Sequence, residues 1–306
     1  MATSITDGLR GGLLGTALGD AVGAPFEGRS RVCQDALEAW LNDDRPLRWT
    51  DDTHMALTLA RMLRDQGDAL DAERLGDAFA AAYAAEPWRG YGAGPPQVFA
   101  LARQGLSYLE AAGSLFGGSG SFGNGAAMRV APVALAAGGD PERAAELAVI
   151  QARVTHTHPE AVDGAVLIAT AVCELATTDA DPGSASTALH AAAARLGPGP
   201  VADASRRVLE AFESDADVPG LARRIGTGVA ARESVPAAVA AVLVGDDLVD
   251  TLIAAVRLGG DTDTIAAMAG AMAGARYGAS SIPEPLLARL EERTGLEELA
   301  RNLTPG

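Results

Sequence analysis

The chain has 306 residues, with 24 basic and 40 acidic side chains and a net charge of −16. All 24 cations are Arg, since the sequence holds no Lys, which excludes a P-loop and a Schiff-base amine. The acidic balance argues against binding nucleic-acid phosphates or an anionic membrane surface, and suits carboxylates that hold cations.

The apolar share is 48% but aromatics are only 4%, so the core is expected to consist of Ala, Leu, Val and Ile on closely packed helices. Residues 53–64 place Met55, Leu59, Met62 and Leu63 on one helical face. Residues 162–175 are apolar nearly all round, which predicts a buried central helix. Residues 265–277 repeat Ile265, Met268 and Met272 on one side, with Gly270 and Gly274 admitting a close neighbour. Gly- and Pro-rich stretches at 90–96, 117–125, 138–141, 182–183 and 197–200 are expected between helices, and 177–182 as an exposed acidic loop. Period-two alternation is scarce, so the expected fold is all-α, in a single domain over residues 1–306. Cys33 and Cys173 have no CxxC spacing and form neither a disulfide framework nor a thiolate zinc site; a reducing cytoplasm is the expected setting. The sequence opens on no signal-peptide pattern and has no run of about 18 apolar residues to span a membrane.

Two acidic turns carry the chemistry. Trp49-Thr50-Asp51-Asp52-Thr53 and Gly259-Gly260-Asp261-Thr262-Asp263-Thr264 each stand just before a predicted helix. Either one alone reads as an N-cap. Together they supply four carboxylates and several hydroxyls, with no Lys to neutralise them. Hard oxygen donors of this kind suit Mg²⁺ or Mn²⁺, and four carboxylates exceed the need of one ion, which points to a two-metal site. Gly118, Gly120 and Gly123 match G-x-G-x-x-G, but no strand precedes them, so this is not a dinucleotide-binding fingerprint. Their exposed backbone N–H groups remain suited to a diphosphate. His156 and His158 lack a third ligand for zinc. His158 is expected to cap or pack, His54 to face a neighbouring helix, and His190 to be structural. Asp246-Asp247-Leu248-Val249-Asp250 matches the aspartate-rich motif of all-α prenyl-diphosphate enzymes. With no second motif and few aromatics, it is read as a solvated first turn.

Several segments in order resemble the ADP-ribosylglycohydrolase family. They are residues 11–23 (GGLLGTALGDAVG) with Glu27, then Thr50-Asp51-Asp52-Thr53, Ser121-Phe122-Gly123-Asn124-Gly125-Ala126-Ala127-Met128-Arg129, Thr155-His156, and Gly260-Asp261-Thr262-Asp263-Thr264. The resemblance implies a compact orthogonal helical bundle with two Mg²⁺ (or Mn²⁺) ions in a cleft. Its implied ligands are Thr50, Asp51, Asp52, Asp261, Asp263 and Thr264, with Glu27 on a mobile loop as ligand or acid/base and Asp261 as the alternative catalytic carboxylate. Ser121, Gly123 and Asn124 would cradle the diphosphate, Phe122 would stack on a base or ribose, and His156 would line the substrate cleft. Arg129 and Asn124 are both open to a role in loop structure in place of one on substrate, and the sequence does not rank them. The Arg89–Gly94 stretch, with Gly92 and Gly94, resembles the loop of the branch that hydrolyses O-linked ADP-ribose on serine or in polymer. Arginine-linked ADP-ribose is the alternative substrate. The implied partner is an ADP-ribosylated protein or conjugate, met by a monomer.

Overall fold

The computed structural model describes residues 4–67, 69–178 and 181–303. Residues 179 and 180 of the expected acidic loop lie outside that set, and Thr177 and Asp181 beside them are exposed. The elements in order are α1 (Ile5–Gly23), α2 (Gln34–Leu41), α3 (Asp51–Gln66), α4 (Ala72–Ala85), α5 (Gly94–Ala102) and α6 (Tyr108–Gly118). There follow α7 (Ala131–Ala136), α8 (Pro141–Arg153), α9 (Pro159–Leu175), α10 (Pro182–Ala194), α11 (Pro200–Glu213) and α12 (Val218–Ile225). The last are α13 (Ala231–Val244), α14 (Leu248–Leu258), α15 (Thr262–Tyr277), α16 (Glu284–Arg289) and α17 (Arg293–Leu303). The fold is all-α; among the described residues, the only β pairings are the isolated bridges Leu47 to Leu290 and Gly123 to Ala230.

An acidic chain spends many of its carboxylates at helix starts, where the N–H groups and dipole favour them. Asp71, Asp140, Asp181, Asp217 and Asp247 each accept a first-turn N–H. The Asp246-Asp247-x-x-Asp250 segment is such a cap, with Asp247 Oδ1 accepting the Asp250 N–H at 2.8 Å. Gly94 to Pro96, Pro141, Pro182 with Gly183, and Pro200 do not lie between helices as expected. They open α5, α8, α10 and α11, where the missing proline N–H costs nothing. His158 caps α9, and His190 pairs with Glu213 at 2.8 Å.

The helix that organises the site is α1, which runs antiparallel to α15 at backbone contact. The glycines at 11, 15, 19 and 23 form one stripe. A Cβ at these positions would lie 2.8 Å from the Gly274 carbonyl carbon, 2.7 Å from that of Gly270, 2.5 Å from that of Ala266 and 2.7 Å from the Cα of Asp263. Only hydrogens fit there, so the helices approach until their backbones touch. The stripe sets the C-terminal end of α1 beside the N-terminal end of α15. The Thr262 hydroxyl closes that end by donating to the Gly23 carbonyl at 3.0 Å. Helices α9, α13 and α14 pack around this pair. α9 is buried along most of its length, as its all-round apolar pattern predicts.

Candidate metal centre

Thr50 is the N-cap of α3 and Asp261 the N-cap of α15. The α1–α15 contact brings these two helix starts together around Asp20, near the end of α1. Asp20 is fully buried. Its carboxylate accepts the Thr50 N–H (3.0 and 2.9 Å) and hydroxyl (2.9 Å), and the Thr53 N–H (3.0 Å) and hydroxyl (2.6 Å). It clamps the first turn of α3 and so aims Asp51 and Asp52. The turn is held from the other side as well, where the Asp51 N–H donates to the Arg89 carbonyl at 2.8 Å. Arg89 is itself fixed by Glu86 and by both oxygens of Glu291, and it lies over the Trp49 ring.

Gly259 and Gly260 make the opposite turn at φ +78° and +83°, a left-handed conformation that side chains resist. A Cβ on Gly260 would lie 2.8 Å from the Thr227 Cβ. Asp261 is anchored by its N–H to the Thr227 carbonyl (2.8 Å), and its Oδ2 accepts the Asn124 amide at 2.6 Å. Asn124 also donates to the Ser234 hydroxyl at 3.1 Å.

One carboxylate oxygen each from Asp20, Asp52 and Asp263 lies within 4.8 Å of the others, and the same holds for Glu27, Asp261 and Asp263. Asp263 belongs to both sets. Burial raises the proton affinity of every member, and neighbouring carboxylates raise most of them further. Asp51 is pushed up to about 7 by burial and by Asp20, and Asp263 to about 9 by burial and by Asp261. Burial lifts Asp20 to about 6 against its four donors. Asp52 is raised well above its usual range, Asp261 is raised, and burial together with Asp261 raises the exposed Glu27. Asp52 Oδ1 is buried with no hydrogen-bond partner among the described residues. An orphaned carboxylate oxygen in a cluster of like charges is costly unless a cation meets it. The residues present therefore fit divalent ions held by oxygen.

Thr50, Asp51, Asp52, Asp261, Asp263, Thr264 and Glu27 thus converge, with the Thr264 hydroxyl bonded to Asp261. The glycine-rich loop stands beside them, tied by the Asn124 N–H to the Val229 carbonyl (2.9 Å) and by the Ala231 N–H to the Phe122 carbonyl (3.0 Å). Within it, Ser121 Oγ accepts the Gly123 N–H at 3.2 Å. The Phe122 ring is exposed, and the Phe116 ring lies 6.5 Å away, also exposed. His156 is buried against Gly123 and Gly125, with Nδ1 on the Thr155 hydroxyl at 2.8 Å. Burial and Arg129 push it down to about 3, so its imidazole is neutral. Arg129 is fully buried, bonded to Gln151 and Thr155 and stacked over Phe79, in keeping with a structural role. His54 faces Tyr91, whose hydroxyl meets Nδ1 at 2.9 Å. A Cβ on Gly92 would meet nothing within 4 Å and one on Gly94 only Leu115, whereas Gly90 approaches Asp51 Oδ1.

A model of the family "ADP-ribosylglycohydrolase" matches residues 1–306. The chain belongs to the ADP-ribosylglycohydrolase family. It is a hydrolase. Similar proteins include the ADP-ribosylhydrolase ARH3 of Danio rerio, 35% identical over 96% of this chain and 89% of that protein. The ARH3 of Homo sapiens is 32% identical over 96% and 92%. A solved structure described as an ADP-ribosylglycohydrolase-related protein complex superposes with a TM-score of 0.74, at 30% identity over 98% of both chains. Sequence reasoning missed Asp20. Asp20 sits in an apolar helical run whose only signal was the Gly-Asp pair of the family motif.

Proposed function

We propose that this hydrolase depends on Mg²⁺ or Mn²⁺ and cleaves the glycosidic bond between ADP-ribose and an oxygen acceptor, serine or ADP-ribose polymer. The observation that carries the reading is the pair of carboxylate sets sharing Asp263, with the orphaned Asp52 Oδ1 beside them. Thr50, Asp51, Asp52, Asp261, Asp263, Thr264 and Glu27 would hold two ions. Such ions, when bound, supply Lewis acidity towards ribose hydroxyls and towards water.

The chain's own groups do the rest. Negative charge on the buried aspartates favours the oxocarbenium-like state that forms as the bond at the anomeric carbon breaks. Glu27, held above its usual range, gives its proton to the departing acceptor oxygen and recovers one from the attacking water. ADP-ribose and a free hydroxyl result. Asn124 positions Asp261, and the backbone of Ser121 and Gly123 receives the diphosphate. Phe122 and Phe116, with ring centroids 6.5 Å apart and planes tilted by 40°, offer exposed aromatic surface beside the loop on which a base would stack. His156 supports the loop from beneath, and Gly92 and Gly94 leave the acceptor side open. An arginine acceptor would bring a guanidinium group to the loop after Arg89. That loop contains no carboxylate, and Glu86 and Glu291 are both spent on Arg89. The partner is an ADP-ribosylated protein or conjugate, and the working form a cytoplasmic monomer.

The test compares release of ADP-ribose from serine-linked and arginine-linked peptides with Mg²⁺, Mn²⁺ or EDTA, alongside Asp261→Ala and Asp263→Ala. Metal-dependent release from the serine peptide alone, lost in both variants, is expected. Release from the arginine peptide alone would overturn the acceptor assignment, and full activity in EDTA would overturn the metal reading.

A further inference from the structure

A groove of about 950 Å³ contains none of the carboxylates of the candidate metal centre. Its apolar floor includes Ala240, Val244, Ile253 and Leu258, from α13 and α14. Three guanidinium groups line it: Arg31 after the Glu27 loop, Arg223 of α12 and Arg257 of α14. All three are exposed, and none forms an ion pair among the described residues. Elsewhere Arg45, Arg89, Arg195 and Arg293 hold carboxylates. The groove has two acids of its own. Glu38 is engaged by Gln34 at 2.7 Å, and Asp250 lies among Asp246 and Asp247, so neither is tied to an arginine. In a chain of net charge −16, a cavity with three unpaired cations against two acids is complementary to an anion, and its floor to an apolar body.

The position of the groove adds a consequence. Arg257 and Leu258 run directly into Gly259 and Gly260, and Arg31 follows Glu27 by four residues. The two segments are zipped together: the Gly28 N–H donates to the Gly260 carbonyl and the Gly260 N–H to the Arg29 carbonyl, each at 2.8 Å. Gly259 packs so closely on Ser30 that a Cβ would lie 2.5 Å from the Ser30 oxygen. We propose that the groove is an effector site for a small organic anion, which bridges Arg31, Arg223 and Arg257 and clamps the Glu27 loop against the Gly259–Gly260 turn.

The probe is 8-anilinonaphthalene-1-sulfonate, an aromatic anion whose fluorescence rises on apolar burial. One saturable site per chain is expected. Arg223→Gln combined with Arg257→Gln should weaken it about tenfold or more, through loss of two charge-assisted contacts. Ala254, on α14, also lines the groove, and Ala254→Trp, which fills it, should abolish binding, with all variants melting near the wild type. Phenyl phosphate and benzoate compete as the two anionic head groups, and displacement by either supports the site and names its head group. In hydrogen exchange, saturating probe should slow residues 24–33 and 258–262 at least about threefold. Unsaturable binding, binding indifferent to the variants, displacement by neither anion, or unchanged exchange overturns the proposal. These readouts stand whatever bond the enzyme cleaves.

Discussion

Replacing Gly19 with Ala adds one methyl group to the middle of a helix. On an isolated helix that change stabilises by about 1 kcal/mol, because Ala has the higher propensity. In this protein the new Cβ would lie 2.5 Å from the carbonyl carbon of Ala266 and 2.9 Å from the amide nitrogen of Ala267. Carbon atoms approach comfortably to about 3.5 Å, so the backbones of α1 and α15 must part by about 1 Å. The neighbour is main chain and has no rotamer to yield. Overpacking of this kind costs about 1 to 3 kcal/mol, and the rigid neighbour puts Gly19 at the upper end. Net of propensity, the loss is about 2 kcal/mol, roughly a thirtyfold fall in the folded-to-unfolded ratio. Gly295 in α17 is the control: it is exposed, and a Cβ there meets nothing within 4 Å. Urea unfolding of the wild type, Gly19→Ala and Gly295→Ala decides the matter. Gly295→Ala should gain up to about 1 kcal/mol while Gly19→Ala loses about 2. If both variants are stabilised alike, the close contact of α1 and α15 does not hold the fold together.

The remaining predictions concern the site. Without metal, stability should fall as pH rises from about 5 to about 8, because the unfolded aspartates ionise near their ordinary 3.8 while Asp20, Asp51 and Asp263 stay protonated towards about 6, 7 and 9. Thermal melts in EDTA should show that slope, and saturating Mg²⁺ should flatten it. Asn124→Ala removes the 2.6 Å donation to Asp261; titration calorimetry should show Mn²⁺ affinity reduced about 10- to 100-fold. On the role proposed for its exposed ring, Phe116→Ala should raise KM about three- to tenfold and leave kcat within about twofold, as steady-state kinetics would read.

The sequence was legible where the physics is local. The Thr-Asp-Asp-Thr and Gly-Asp-Thr-Asp-Thr turns were placed at helix starts because capping needs only residues within one turn, and the structure puts them there. The third helical pattern, at 265–277, lost only its first turn, which the acidic cap absorbed. Asn124 shows the limit. Its neighbours are glycines, which pointed to the diphosphate, yet its amide is spent on Asp261, 137 residues away along the chain. Asp20 shows the same limit, since a carboxylate in an apolar helix becomes intelligible only when its donors, Thr50 and Thr53, are seen. The effector groove was invisible for the same reason: Arg31, Arg223 and Arg257 come from three separate stretches.

The glycine stripe on α1 also dictates a timetable. Its partner carbonyls belong to α15, and the bond from Thr262 to Gly23 joins residues 239 positions apart. A chain emerging from the ribosome makes α1 well before α15 and must hold that narrow, side-chain-free face without its mate until α15 has been synthesised. Pairing across 239 residues is non-local, and contacts of that kind slow folding. A shortened chain that stops before α15 would carry Asp20, Glu27, Asp51 and Asp52 and still lack the half of the cluster that gives them a purpose.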